Sequence, residues 1–116
     1  MRALITGASS GMGRDMAKIL SSKGYDVILV ARQEDKLLEL QKEIKTEAKI
    51  ISLDLSDINN CFELYEKTKD DDIDILINNA GYGCFGEFDK VPLEAELNLI
   101  DLNIKAVHIL TKLFLK

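Results

Sequence analysis

Tryptophan is absent from this 116-residue chain, proline and histidine occur once each, and aromatic residues make up only 6% of it. The single histidine, His108, supplies no imidazole set for zinc, and Cys61 and Cys84 match no CxxC or Cys/His ligand spacing, so no metal site is expected. Two isolated thiols read as reduced structural cysteines, which points to a cytoplasmic protein. No apolar run is long enough to span a bilayer, and Met1-Arg2 leads directly into a strand pattern without a signal-peptide core. Positive charge is also scarce. Fifteen Lys and Arg against 20 Asp and Glu leave a net charge of −5, which argues against a nucleic-acid binder.

What remains is the composition of an ordinary globular protein, 47% hydrophobic and 30% charged. Apolar, β-favouring runs alternate with amphipathic helical runs. Ala3 to Thr6 reads as a first strand, followed by a helix from Met12 to Lys23 that ends at Gly24. Val27 to Val30 reads as a second strand. A helix over Glu34 to Glu47 then carries an inward stripe of Leu37, Leu38, Leu40 and Ile44. Lys49 to Leu55 reads as a third strand, and Ser56 or Asp57 can cap a helix running through Lys69. Asp74 to Asn78 is a fourth strand, and Pro92 suits the first turn of a final helix.

The strands are short, apolar and not alternating, as expected when helices cover both faces of a sheet. Strand–helix–strand repetition implies right-handed crossovers and a parallel sheet, hence an α/β fold. No linker, repeat or low-complexity tract divides the chain, so residues 1–116 are expected to belong to one domain.

The stretch "ITGASSGMG" places three glycines between the first strand and the first helix. Gly7 permits the sharp turn, and Gly11 and Gly13 let backbone approach a ligand and a neighbouring strand. The helix N-terminus behind them offers free N–H groups and the positive end of a dipole, which suit a pyrophosphate. Ser9 and Ser10 add hydroxyl donors. The spacing Gly-x-x-x-Gly-x-Gly differs from the commoner Gly-x-Gly-x-x-Gly, and no Lys-Ser/Thr of a P-loop follows.

"TGASSGMG" (Thr6 to Gly13), "LDL" (Leu53 to Leu55), "NNAG" (Asn78 to Gly81) and "LN" (Leu102-Asn103) occur in this order. Together they resemble the N-terminal half of a short-chain dehydrogenase/reductase of the compact NAD(P)-dependent subfamily, and the resemblance covers the whole chain. It implies a Rossmann-like, doubly wound parallel sheet, here cut after the fourth strand and its following helix. It also implies that Gly7, Ser9, Ser10, Gly11, Met12 and Gly13 wrap the pyrophosphate and adjoining ribose of a dinucleotide. Asp54 and Leu55 would lie beside the adenine, and Asn79, Ala80 and Gly81 would form the cofactor-side wall. Asn103 would be the helix asparagine that holds a water in the family's proton relay; a purely structural role for it stays open.

The end of the second strand bears on the choice of cofactor. NAD-using relatives place an acidic residue there to take the ribose hydroxyls, whereas this chain has Ala31 followed by Arg32. A guanidinium suits a 2′-phosphate, so NADP is favoured over NAD. The alternative is a solvated Arg32 that merely ends the strand. Arg14 is nearby in sequence and can either join it or point to solvent.

Chemistry in this family needs a serine and a Tyr-x-x-x-Lys pair in which the lysine lowers the tyrosine pKa. The chain contains one match, Tyr65 and Lys69, but it precedes "NNAG" rather than following it. It also falls in the last turns of its helix, which should lie at the sheet edge away from the cofactor. Tyr65 therefore reads as a packing residue and Lys69 as a charge that complements the helix dipole. Tyr25 and Tyr82 have no lysine four residues on, and His108 has no partner for a triad.

The final helix is apolar almost all round, from Leu93 through Leu97, Ile104, Leu110 and Leu115. Such a helix expects burial on several sides, and the fourth strand would present an open edge. The expectation is a fragment, or a chain that covers these surfaces in a homo-oligomer through that helix or that edge. Two functions follow. One is the cofactor-binding half of an NADP-dependent oxidoreductase acting on a small carbonyl or alcohol substrate, inactive by itself. The other is a non-catalytic nucleotide-binding or interaction module derived from the same family.

Overall fold

The computed structural model describes residues 1–9, 11–79, 93, 94, 97 and 101–115. Four parallel strands form one sheet in the order β3-β2-β1-β4: β1 Arg2–Thr6, β2 Asp26–Ala31, β3 Ala48–Ser52 and β4 Ile75–Ile77. Three helices link them, α1 Gly11–Ser22, α2 Glu34–Glu43 and α3 Ile58–Thr68. Beyond β4, a π-helical stretch at Asp101–Ala106 leads into α4, Val107–Phe114. Helical backbone is also described at Leu93, Glu94 and Leu97.

The strand order dictates the winding. Moving from β1 to β2 to β3 steps outward in one direction, so right-handed crossovers put α1 and α2 on the same face. The α3 connection returns past β2 and β1 to β4, which places α3 on the opposite face with α4. The core divides accordingly. On one face Ile5, Ala17, Val27, Leu29, Leu37 and Leu40 pack together. On the other, Leu4, Ile28, Val30, Cys61, Leu64 and Leu110 do so. Alternate residues of β1 and β2 thus enter different cores, and both faces of these central strands are apolar. That is the physical origin of their unalternating sequences.

Element ends differ from the sequence pattern for local reasons. The second helix was expected to reach Glu47 but ends at Glu43, where Ile44 turns extended (φ −85°, ψ 132°). The Ser21 hydroxyl explains the early exit, because it accepts from the backbone N–H groups of Lys45 (3.2 Å) and Thr46 (3.3 Å) and so replaces their helical partners. β3 stops at Ser52 rather than Leu55, since Asp54 bends the chain by accepting from the Ser56 N–H at 3.0 Å. Between the two expected caps of α3, Asp57 is the one used, accepting from the Asn59 N–H at 3.0 Å. At the end of α1, Gly24 takes a positive φ of 92° that a side chain would disfavour.

The described residues beyond β4 do not bury all their apolar side chains. Ala106 and Leu110 are buried, whereas Leu97 and Ile104 are 51% and 60% exposed. One side is satisfied by α3, where Tyr65 meets Phe114 edge-on with ring centroids 5.3 Å apart. Among the described residues, no helix is long and apolar enough to cross a membrane.

Cys61 is fully buried on α3, and loss of solvent pushes its thiol up to about 11, with the Asp57 carboxylate adding to the effect. In a Cys84→Ser background, the folded chain should therefore resist a thiol reagent such as DTNB at pH 8. Unfolding in guanidinium should restore stoichiometric reaction. Rapid labelling of the native protein would show that α3 opens far more often than its packing implies.

Candidate functional site

The carboxyl edge of the sheet gathers the motif residues because β1, β2 and β4 end there side by side. β1 pairs with β2 from Arg2 opposite Asp26 to Thr6 opposite Val30, and with β4 at Ala3, Leu4 and Ile5. The chain leaves β1 at Thr6, turns at Gly7 with φ 64°, and enters α1 at Gly11 with φ 60°. Both values lie in the left-handed region where glycine carries no steric cost. The turn is anchored from below: the Ala8 N–H donates to the Val30 carbonyl at 3.2 Å, and the Ala8 side chain is fully buried.

The two remaining glycines of the motif do different jobs. A methyl at Gly13 would stand 2.3 Å from the Gly7 carbonyl oxygen and 2.5 Å from Asn79 Nδ2. Only glycine lets the first turn of α1 sit this close to the turn before it and to the end of β4. At Gly11 a methyl would meet nothing within 4 Å. That position faces open space, where a ligand can come up against bare backbone. Gly11 and Met12 are exposed and Ser9 is half-buried, so this corner is open to solvent.

Asn79 ties the corner together. Its backbone N–H donates to Thr6 Oγ1 at 2.9 Å, and its Nδ2 donates to the Gly7 carbonyl at 3.2 Å. Thr6 Oγ1 in turn donates to the Ile77 carbonyl at 3.3 Å. Asn78 points the other way, donating from Nδ2 to Thr111 Oγ1 at 3.1 Å and so linking β4 to α4. Thr6 and Thr111 escaped assignment from the sequence. The available signal was a hydroxyl residue closing an otherwise apolar strand and another interrupting an apolar helix.

Arg32 directly follows β2 and is exposed; Ser52 Oγ donates to its carbonyl at 2.9 Å. Its guanidinium forms no ion pair with the described residues. Arg14, by contrast, pairs with Glu43 at 2.9 Å, and Lys18 joins the same carboxylate oxygen at 3.2 Å. Asp54 is exposed, with Oδ1 accepting from Ser56 Oγ at 2.7 Å, whereas Leu55 is buried in the core. Asn103 lies half-buried within the π-helical stretch. Such stretches are often found where a helix has been locally reshaped for function. Ser10, Ala80 and Gly81 lie outside the described residues.

The Tyr65/Lys69 pair sits elsewhere. Tyr65 packs against Phe114, and Lys69, at the C-terminal end of α3, pairs with Glu66 at 2.9 Å. That carboxylate holds the Lys69 ammonium pKa above its ordinary value. Among the described residues, no group of three or more His, Cys, Asp or Glu could hold a metal ion.

A glycine turn with one open and one crowded glycine, a helix N-terminus above it and an exposed arginine beside it give this corner a chemistry that suits an anion. Comparison with known proteins agrees with that geometry: the family model for short chain dehydrogenase matches residues 1–116. The chain belongs to the short-chain dehydrogenase family. The chain is 36% identical over 111 residues to an uncharacterized oxidoreductase of Staphylococcus epidermidis, covering 93% of this chain and 48% of the relative. It superposes with a TM-score of 0.88 and 33% identity on a short-chain dehydrogenase from Sphingobium yanoikuyae in complex with NADPH, covering 97% of this chain and 46% of that one. An alcohol dehydrogenase from the archaeon Thermococcus sibiricus, complexed with 5-hydroxy-NADP, also gives a TM-score of 0.88 at 33% identity, covering 98% of this chain and 51% of that one. The chain thus spans about half the length of these relatives.

Gly13→Ala and Gly11→Ala should separate packing from ligand approach. Crowding at Gly13 should cost at least about 1–3 kcal/mol of folding stability, seen as a lower thermal midpoint. Gly11→Ala strains φ without a clash and should cost about 1 kcal/mol. A Gly13→Ala protein as stable as wild type would contradict the close approach.

Proposed function

We propose that residues 1–116 form the N-terminal, cofactor-binding portion of a Rossmann-like domain in an NADP-dependent oxidoreductase. The observation that carries this reading is Arg32, exposed and free of ion pairs with the described residues, directly after the strand beside the glycine turn. No carboxylate stands at the end of β2 to accept from ribose hydroxyls, and a guanidinium there matches a phosphate dianion. The cofactors carried by the Sphingobium and Thermococcus relatives support the same assignment.

In this reading Gly7, Ser9, Ser10, Gly11, Met12 and Gly13 surround the pyrophosphate, whose charge the first N–H groups of α1 neutralise. Arg32 takes the 2′-phosphate. Asp54 offers Oδ2 to the adenine amino group, its Oδ1 being engaged by Ser56. Buried Leu55 supports that wall from beneath. Asn79, Ala80 and Gly81 close the side nearest β4. When bound, the nicotinamide supplies or accepts hydride for a carbonyl or alcohol carbon of a small substrate. Asn103 holds a water for proton transfer.

The acid and base of that reaction are not Tyr65 and Lys69, whose packing and ion pair put them to structural use. The isolated chain is therefore a binder rather than a catalyst, and the activity belongs to a longer protein. The exposed side of the last helix or the outer edge of β4 is the surface that a homo-oligomer would cover.

Titration calorimetry tests the cofactor assignment. Arg32→Ala should weaken NADPH binding about 10- to 100-fold while leaving NADH binding within about twofold, because a charged hydrogen bond contributes about 1.5–3 kcal/mol. Unchanged preference between the two would exclude Arg32 as the selector. Purified chain mixed with NADPH and a panel of ketones should show no oxidation above background. Turnover abolished by Tyr65→Phe would reverse the structural reading of that pair.

A further inference from the structure

Arg14 is the other cation at the start of α1, and its partner is unusual in place. Residue 14 follows Gly13 directly, within the first turns of the helix that opens onto the phosphate corner. Helical Cα–Cβ bonds tilt toward the N-terminus, and long side chains lean the same way. An unrestrained Arg14 would therefore extend toward the glycine turn. Instead, its guanidinium meets the Glu43 carboxylate at 2.9 Å, at the far end of α2. Lys18 shares that oxygen at 3.2 Å, one helical turn further from the phosphate corner. The carboxylate draws Arg14 along the helix and away from the N-terminus.

The pair is also weak enough to be exchanged. The Arg14 and Glu43 side chains retain 38% and 46% of their accessible surface, so water screens their attraction. A phosphate at the helix N-terminus carries more charge and offers the guanidinium two-point contact. Lys18 stays on Glu43 whichever partner Arg14 takes, so the carboxylate is not stranded by the exchange.

We infer that Arg14 is a parked phosphate ligand: Glu43 holds it in the nucleotide-free chain and releases it to a phosphate of the bound dinucleotide. Glu43 is then a positioning residue that sets cofactor affinity without touching the cofactor. This rests on the dinucleotide reading above and adds to it a second cation and its restraint.

The test is a double-mutant cycle on the 116-residue chain, with NADP+ and NAD+ as calorimetric probes. Glu43→Gln should tighten binding about two- to fivefold, the scale of an exposed ion pair. Arg14→Ala should weaken it about three- to tenfold. In the Arg14→Ala background, Glu43→Gln should have no effect. Tightening confined to NADP+ assigns Arg14 to the 2′-phosphate, and tightening for both ligands assigns it to the pyrophosphate; either supports the exchange.

A second readout follows Glu43 itself by carboxyl-detected NMR. The Arg14 hydrogen bond, and then that of Lys18, holds the Glu43 pKa below its ordinary value. It should rise when nucleotide is added to wild type and stay fixed in Arg14→Ala. Glu43→Gln binding like wild type, or tightening binding equally without Arg14, would overturn the exchange while leaving the dinucleotide reading intact. Failure of the wild-type chain to bind either dinucleotide would overturn both.

Discussion

The architecture turns on one close approach, that of the first turn of α1 to the end of β1. Gly13 lies so near the Gly7 carbonyl and Asn79 that there is no room for a methyl group. This contact fixes the depth at which α1 rests on the sheet, and hence how Ala17 and Leu20 enter the core between α1 and the strands. It also aims the helix N-terminus over the carboxyl edge. Because Asn79 donates to Gly7 and Thr6 bridges to Ile77, β4 is locked to the same corner. Rigidity is thus concentrated beneath the site, while Gly11 above it remains uncrowded.

The charges around the corner form two groups with different freedom. Arg32 projects from a strand end into solvent, and Arg14 and Lys18 converge on one carboxylate between two helices. With a net charge of −5, the chain as a whole repels anions, so any attraction for a phosphate at this corner has to come from local positive potential. The N-terminal end of the α1 dipole and the exposed Arg32 are the sources of such potential there. Charge balance over the whole chain and charge placement at one sheet edge therefore carry different information.

Most of the fold could be read from the sequence because its strands are buried on both faces. Val27 to Val30 and Ala3 to Thr6 are apolar without alternation, and the amphipathic runs between them leave few topologies open. Element ends were less legible where a side chain competes with the backbone, as Ser21 does at the end of α2. In the site, the glycine positions were readable, but their division of labour was not. Gly13 is crowded by the Gly7 carbonyl and by Asn79, and the fold brings Asn79 back to this turn only at the end of β4. The partner of Arg14 was illegible for the same reason, since nothing local marks Glu43.

The π-helical stretch at Asp101–Ala106 sets a condition on the last helix that substitution patterns alone do not reveal. A π turn accommodates about one residue more than an α turn, so it acts as an insertion absorbed inside a helix. Everything after it, including Leu110 in the core and Phe114 against Tyr65, is in register because the wider turn takes up that extra residue. Relaxing the stretch to α-helix at unchanged length would turn the following segment by about 100°, whereas relaxing it with one residue removed would leave that segment facing as it does now. In the first case Leu110 and Phe114 would swing away from the core and from Tyr65. The stretch is therefore a place where the chain can gain or shed one residue without moving α4, so related chains should differ in length there more readily than in which residues of α4 face the core.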